Sequence, residues 1–396
     1  MSTRRVAIVG SGPVGLDAAL AAVARGWQAV VYESGPAVAS GVRVWGHVEL
    51  FTPWPMNVSD RMRDVLGAAS PDLEQDPRLP TGAELVSRLL EPLARAPELG
   101  GSVRAGTRVL GIGRAGLVKD EEIGSRERAA RPFLLLVEDR DGERIEQADV
   151  VIDSSGALSI PNAVGDGGIP APGERALDHM LQRSIPDVQG QPRAFAGKTT
   201  LVVGAGHSAQ TAVRDLAGLA PDAGGTRVIW AVRDQDPSWD GVPDDPLPAR
   251  AELVSGSVAL AGGASGVVDV RLGTSVAGLA ERDGRTLVTL GKRGMGEELL
   301  ADRVLALVGA VGDGSLYEQL QVHECYATAA PMSLSAALLG SGSSDCMAHA
   351  PPSGDTLKNP EPGFFIIGAK SHGRFGAFLM QTGYAQVDQV MELLAD

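Results

Sequence analysis

Residues 5–33 read RVAIVGSGPVGLDAALAAVARGWQAVVYE: a short apolar strand, a glycine-rich turn, an alanine-rich helix and a second apolar strand ending in an acid. This order makes one βαβ unit. Gly10 permits the tight turn, Gly12 lets the backbone approach a pyrophosphate, and Gly15 lets the helix close on the strand, with Pro13 inside the same turn. The helix N-terminus behind them offers N–H groups and the positive end of its dipole to a diphosphate. Glu33 closes the second strand, where a carboxylate accepts from both hydroxyls of an adenosine ribose, so a ribose without a 2′-phosphate is implied.

A second copy follows. Residues 195–233 read FAGKTTLVVGAGHSAQTAVRDLAGLAPDAGGTRVIWAVR, with Gly204, Gly206 and Ala209 at the three small positions and His207 and Ser208 between them. This unit ends in Arg233 rather than an acid. A guanidinium at that point suits a 2′-phosphate that a carboxylate would repel, which favours NADPH over NADH.

The rest of the composition narrows the class. With 396 residues, 44% hydrophobic and 21% charged, the chain has the material for two cored domains and too little charge for disorder. Lys plus Arg is 35 against 49 for Asp plus Glu, a formal charge of -14 that disfavours nucleic-acid backbones and anionic membranes. The 51 glycines follow no collagen-like period and are spent on turns and close approaches. Two cysteines make no disulfide framework, the N-terminus runs straight into a strand pattern, and no 18-residue apolar run occurs; a cytoplasmic location is expected.

The chain resembles the two-dinucleotide-binding-domain flavoproteins, the superfamily of flavin-containing monooxygenases and thioredoxin reductase-like reductases. The resemblance rests on GSGPVG with Glu33, ADVVIDSSG at 148–156, FAGKTTLVVGAGHSA at 195–209, ADRVLALVGAVGD at 301–313 and GFFIIGAKSHG at 363–373. It implies an α/β fold in which an FAD-binding Rossmann-like domain carries a second, inserted NAD(P)H-binding Rossmann-like domain. The expected FAD domain is 1–165 with 313–396, and the expected NAD(P)H domain is 166–312. Residues 41–100 look like an insertion in the FAD domain that lines a substrate pocket, with Trp45, His47, Trp54 and Asn57 as candidate substrate contacts. The implied cofactors are FAD, on Gly10, Gly12, Pro13, Gly15, Glu33, Gly368 and Gln381, and NADPH, on Gly204, Gly206, His207, Ser208, Ala209 and Arg233.

Departures from the family pattern bear on the reaction. There is no Cys-x-x-Cys relay, because Cys325 and Cys346 are far apart, and this disfavours a familiar disulfide reductase. The linker carries His179 in ERALDHM without the Phe-x-Gly that precedes the histidine in monooxygenases, and GAKS at 368–371 stands where relatives place Gly-Asp. Only five of the basic residues are lysines, so Lys358, in DTLKNPEPGFF, and Lys370, beside His372, are candidates for stabilising reduced flavin. Lys370, His372 and Cys325 are the candidate catalytic groups. His323, Cys325, Cys346 and His349 could form a Cys2His2 set, but the His-x-Cys spacing is unusual for zinc and no metal is assigned.

The expectation is an FAD-dependent, NADPH-using monooxygenase acting on a small organic molecule, with a homodimer as a compatible assembly. The rival readings are a flavin reductase or dehydrogenase serving a quinone, dithiol or protein partner, and a nucleotide-sensing flavoprotein without catalysis.

Overall fold

Alternation along β1 (Arg5–Val9) splits its side chains between two apolar clusters, Val6 and Ile8 into one and Ala7 and Val9 into the other. A strand buried on both faces belongs in the middle of a parallel sheet. In the computed structural model, which describes residues 3–67, 73, 75–292, 295–341, 353–376 and 378–395, β1 does lie there. It is followed by α1 (Pro13–Ala24), β2 (Gln28–Glu33), α2 (Asp60–Leu66) and β3 (Val103–Ala105). An antiparallel sheet of β4 (Arg108–Arg114), β5 (Phe133–Asp139) and β6 (Gly142–Ala148) then leads to β7 (Val150–Asp153).

Strands β7, β1, β2 and β3 pair in that order, all parallel, with Val9 level with both Tyr32 and Asp153. The antiparallel sheet covers one face through Val109, Ile112, Phe133, Leu135 and Val137. The other face is covered by α1 and by apolar residues of the 41–100 segment, among them Trp54, Met62, Leu85, Leu89 and Leu93. Much of the expected insertion is therefore core, because its apolar stripe is what buries α1.

The same plan recurs after residue 160. Here β8 (Leu181–Gln182), β9 (Thr199–Val203), α3 (His207–Leu219), β10 (Arg227–Val232), α4 (Pro248–Ala261) and β11 (Val268–Leu272) precede an antiparallel sheet of β12 (Ser275–Arg282), β13 (Arg285–Lys292) and β14 (Met295–Ala301), and β15 (Arg303–Ala306) closes the unit. The parallel order is β11-β10-β9-β15-β8. Leu201 and Val203 pack toward Val276, Val288 and Leu290, while Val202 packs toward Ala212, Val213 and Leu216 of α3.

The chain then returns through the short hairpin of β16 (Glu324–Cys325) and β17 (Ala330–Pro331), α5 (Met332–Ser341), β18 (Phe364–Ile366) and α6 (Met380–Leu393). Strand β18 extends the first parallel sheet beyond β7. Two compact units result, Met1–Ile160 with Val311–Asp396, and Pro161–Ala310. No described helix is long and apolar enough to cross a membrane.

Candidate functional sites

In the first unit the glycine turn is required by its surroundings at two positions and by nothing at the third. Gly10 sits at φ 98°, and a Cβ there would stand 2.7 Å from the Ser154 carbonyl oxygen. A Cβ on Gly15 would stand 2.0 Å from the Gly10 carbonyl oxygen, so α1 cannot carry a side chain where it crosses the turn. Gly12, by contrast, has φ −69° and ψ −179°, which any residue adopts, and has nothing within 4 Å of its Cβ position. It caps α1 with no side chain of its own, and the first-turn N–H groups of a helix lack intrahelical partners. That open seat fits a diphosphate.

Glu33 is buried and bonded on both oxygens. Its Oε2 accepts from the Ser11 hydroxyl at 2.5 Å and the Ser11 N–H at 3.3 Å, and its Oε1 accepts from the Gly35 N–H at 2.9 Å. Ser11 in turn accepts from the Ala39 N–H at 2.8 Å. A carboxylate offers about four acceptor positions. One direction on Oε1 is left for a ribose hydroxyl, rather than two free oxygens.

The segment that follows β18 packs on the start of α1. Gly368, at φ 71°, has its Cβ position 3.6 Å from Val14, and that of Gly383 in α6 is 2.4 Å from Val14. The Gly368 N–H donates to Gln386 Oε1 at 2.7 Å, and Gln386 Nε2 donates to the Ser371 hydroxyl at 2.9 Å, which pairs with His372 Nδ1 at 3.1 Å. Gln381 is exposed in the first turn of α6 and takes no part in these bonds. The glutamine that organises the turn is Gln386, on the buried face of the same helix, where a polar residue in an apolar stripe was the available signal.

Lys370 is 3% exposed, and its ammonium donates to Asp153 Oδ2 at 2.5 Å, Ser155 Oγ at 3.1 Å and the Asp313 carbonyl at 2.7 Å, with the Tyr317 ring 5.0 Å away. All three donor directions of the Lys370 ammonium are thereby spent within the protein. His372 is buried with its ring edge against Phe378. Cys325 is buried in the β16–β17 hairpin, and the Thr328 hydroxyl and neighbouring N–H groups hold its thiol below the usual range. The hairpin is tied to the Lys370–His372 turn by the Arg374 N–H, which donates to the Thr328 carbonyl at 2.8 Å. Cys346 and His349 lie outside the described residues, and among the described residues no group of three or more His, Cys, Asp or Glu side chains is placed to hold a metal.

The candidate substrate contacts are not one surface. Trp54 is fully buried beneath the Arg88 guanidinium, and Asn57 is buried with its amide donating to the Thr52 and Pro53 carbonyls at 2.9 Å and its oxygen accepting from the Thr52 hydroxyl. Trp54 belongs to the apolar cluster that covers α1, and the Asn57 carbonyl beside it accepts from the Tyr384 hydroxyl of α6 at 2.7 Å. Trp45 is half-buried against Gly82, where a Cβ would come within 2.8 Å of its ring, and His47 is exposed.

In the second unit Gly204 takes φ 128°, and its Cβ position is 2.2 Å from the Leu307 carbonyl oxygen. Ala209 is buried at the third small position. Gly206 caps α3 at φ −70°, ψ 172°, but its Cβ position is not in open space: Asp240 Oδ2 lies 3.5 Å away. His207 opens the helix, where burial lowers its pKa against the opposing charge of Asp240, and Ser208 is exposed. Arg233 is exposed just past β10, with its Nε 3.7 Å from Asp234.

This chain has the fold of the two-dinucleotide-binding-domain flavoproteins, the superfamily that includes thioredoxin reductase-like and flavin monooxygenase-like enzymes. It is similar to the bacillithiol disulfide reductase Bdr (YpdA) from Bacillus cereus, with a TM-score of 0.71 at 19% identity over 100% of this chain and 99% of that one. It is similar also to the thioredoxin reductase of T. acidophilum (0.60, 15%, 99% and 100%) and to the ornithine N-hydroxylase of Kutzneria sp. 744, captured with reduced FAD, NADP+ and L-ornithine (0.61, 16%, 100% and 100%). No family model and no curated protein matches the sequence.

Proposed function

We propose that the protein is an FAD-dependent, NADPH-using oxidoreductase. The observation that carries this reading is the pair of glycine turns, one in each unit, with the open seat at Gly12 and the acid Glu33 in the first and the basic Arg233 in the second. Gly10, Gly12, Pro13, Gly15, Glu33 and Gly368 would hold the flavin dinucleotide, and Gly204, Gly206, His207, Ser208, Ala209 and Arg233 the nicotinamide one. Bound there, FAD would supply two-electron chemistry, accepting a hydride from NADPH and delivering electrons onward. The chain's own contribution is to position: Glu33 fixes the ribose end, α1 the diphosphate, and the Gln386–Ser371–His372 relay holds the turn that packs on Val14.

On the finer question we propose oxygenation of a small organic molecule. The sequence has no Cys-x-x-Cys pair to carry electrons to a disulfide, and Cys325 is enclosed in its hairpin. The second reading, a reductase that uses one thiol, is favoured by the lowered pKa of Cys325.

The test is to add NADPH to the purified flavoprotein without oxygen and then admit isotopically labelled O2 with a panel of diamines and amino acids. Bleaching followed by label in an organic product supports oxygenation. Bleaching with NADPH consumption driven by low-molecular-weight disulfides, and no label, moves the reductase ahead. A flavin that NADPH never bleaches sinks the proposed electron donor.

A further inference from the structure

The seat at the second glycine turn is faced by the chain's own carboxylate, whereas the matching space at Gly12 is open. Asp240 is brought there by the connection between β10 and α4, and that connection is anchored along its length. Its near end is fixed by the Gly273 N–H, which donates to the Asp234 carbonyl at 3.1 Å, and its far end by Arg250, which holds both oxygens of Asp245 at 2.7 Å. In the middle the Trp239 ring lies 4.8 Å from that of Trp230, whose Nε1 donates to the Gly204 carbonyl at 2.7 Å. Gln210 Nε2 donates to both the Ala205 and Trp239 carbonyls at 2.9 Å, so one fully buried amide ties the glycine turn to the segment above it.

The closed arrangement also carries costs. Trp239 takes a left-handed backbone conformation, φ 56°, which a bulky residue holds only when its surroundings impose it, and Asp240 follows at φ 54°. Gln210 Oε1 is buried without a hydrogen-bond partner among the described residues. A ligand that binds one of two conformations better shifts the population toward it. A carboxylate at a helix N-terminus is attracted by the same amides and dipole that attract a phosphate, and two anions there repel each other.

We propose that residues 234–247 form a strap over the second dinucleotide seat, with the exposed Asp240 carboxylate placing its charge beside the diphosphate position and Gln210 with Trp239 as its latch. This rests on reading the second unit as the NADPH site. Nucleotide binds when Asp240 is displaced, and apparent affinity falls by the fraction of molecules that are open.

The experiment is an equilibrium titration of the flavin-loaded protein with NADP+, following tryptophan emission, in wild type, Asp240→Asn and Trp239→Phe. Asparagine keeps the shape, loses the charge and tolerates the left-handed backbone. The expected result is binding about tenfold tighter in Asp240→Asn, with a wild-type emission change on binding that Trp239→Phe removes. Equal or weaker binding by Asp240→Asn, or a wild-type emission that does not change on binding, overturns the strap and leaves the NADPH reading standing. If neither wild type nor Asp240→Asn binds NADP+, both fall.

Discussion

At the scale of single residues, Gly12 and Gly15 are three positions apart in one motif and answer to different demands. A methyl group on Gly15 would meet the Gly10 carbonyl at 2.0 Å, backbone against backbone, whereas one on Gly12 would meet nothing in the protein. Gly15→Ala should therefore destabilise the first unit by about 3 kcal/mol, the upper end of the usual overpacking range. Gly12→Ala should cost under about 1 kcal/mol, the small penalty of alanine at a helix cap, yet leave the purified protein depleted in flavin. Thermal melts together with the ratio of visible to ultraviolet absorbance separate the two; a Gly12→Ala protein that retains full flavin would show that the open space is not a ligand seat. Both glycines were legible from spacing alone. The bonds that consume most of Glu33 were not, because Ser11 and Gly35 reach it through a turn whose path no motif specifies.

At the scale of elements, α1 is held from the side opposite the sheet by an acid that sequence patterning would have put in solvent. Asp17 is fully buried, accepts from Ser59, which caps α2, and pairs with Arg61, whose other nitrogen reaches Asp388 on α6. Burial raises its pKa from 3.8 to about 6, with Arg61 and Ser59 opposing. The folded state thus binds the Asp17 proton more tightly than the unfolded chain does. Its contribution to stability is complete below about pH 4 and is lost as the pH rises through about 6. The displacement corresponds to about 3 kcal/mol. Across that window Asp17→Asn should gain on wild type by up to about that amount, read from urea unfolding at a series of pH values; a constant difference would mean Asp17 is already ionised in acid. Strand alternation and the repeated glycine motif make the two βαβ cores readable. The antiparallel sheets β4–β6 and β12–β14 have no comparable signature, and the approach of Asp240 to Gly206 depends on two left-handed residues that no periodicity announces.

At the scale of the whole molecule, the chain builds the same plan twice and leaves and re-enters the first unit near residues 160 and 311. Lys370 sits where both passages begin, bonded to Ser155 on one and to the Asp313 carbonyl on the other, with Asp153 at the end of β7 as its counter-charge. Residues separated by 217 positions meet in that ion pair, which is why sequence singled out the lysine and not its partner. The lysine's enclosure also makes it a gauge of folding. Lys119 and Lys358 are exposed, and an amine-acylating reagent should modify them at once in native protein. Lys370, with its nitrogen shared among three acceptors, should take up label only in molecules whose first unit has come apart. Peptide mass spectrometry after a brief acylation pulse would then report, from one residue, what fraction of a preparation is folded.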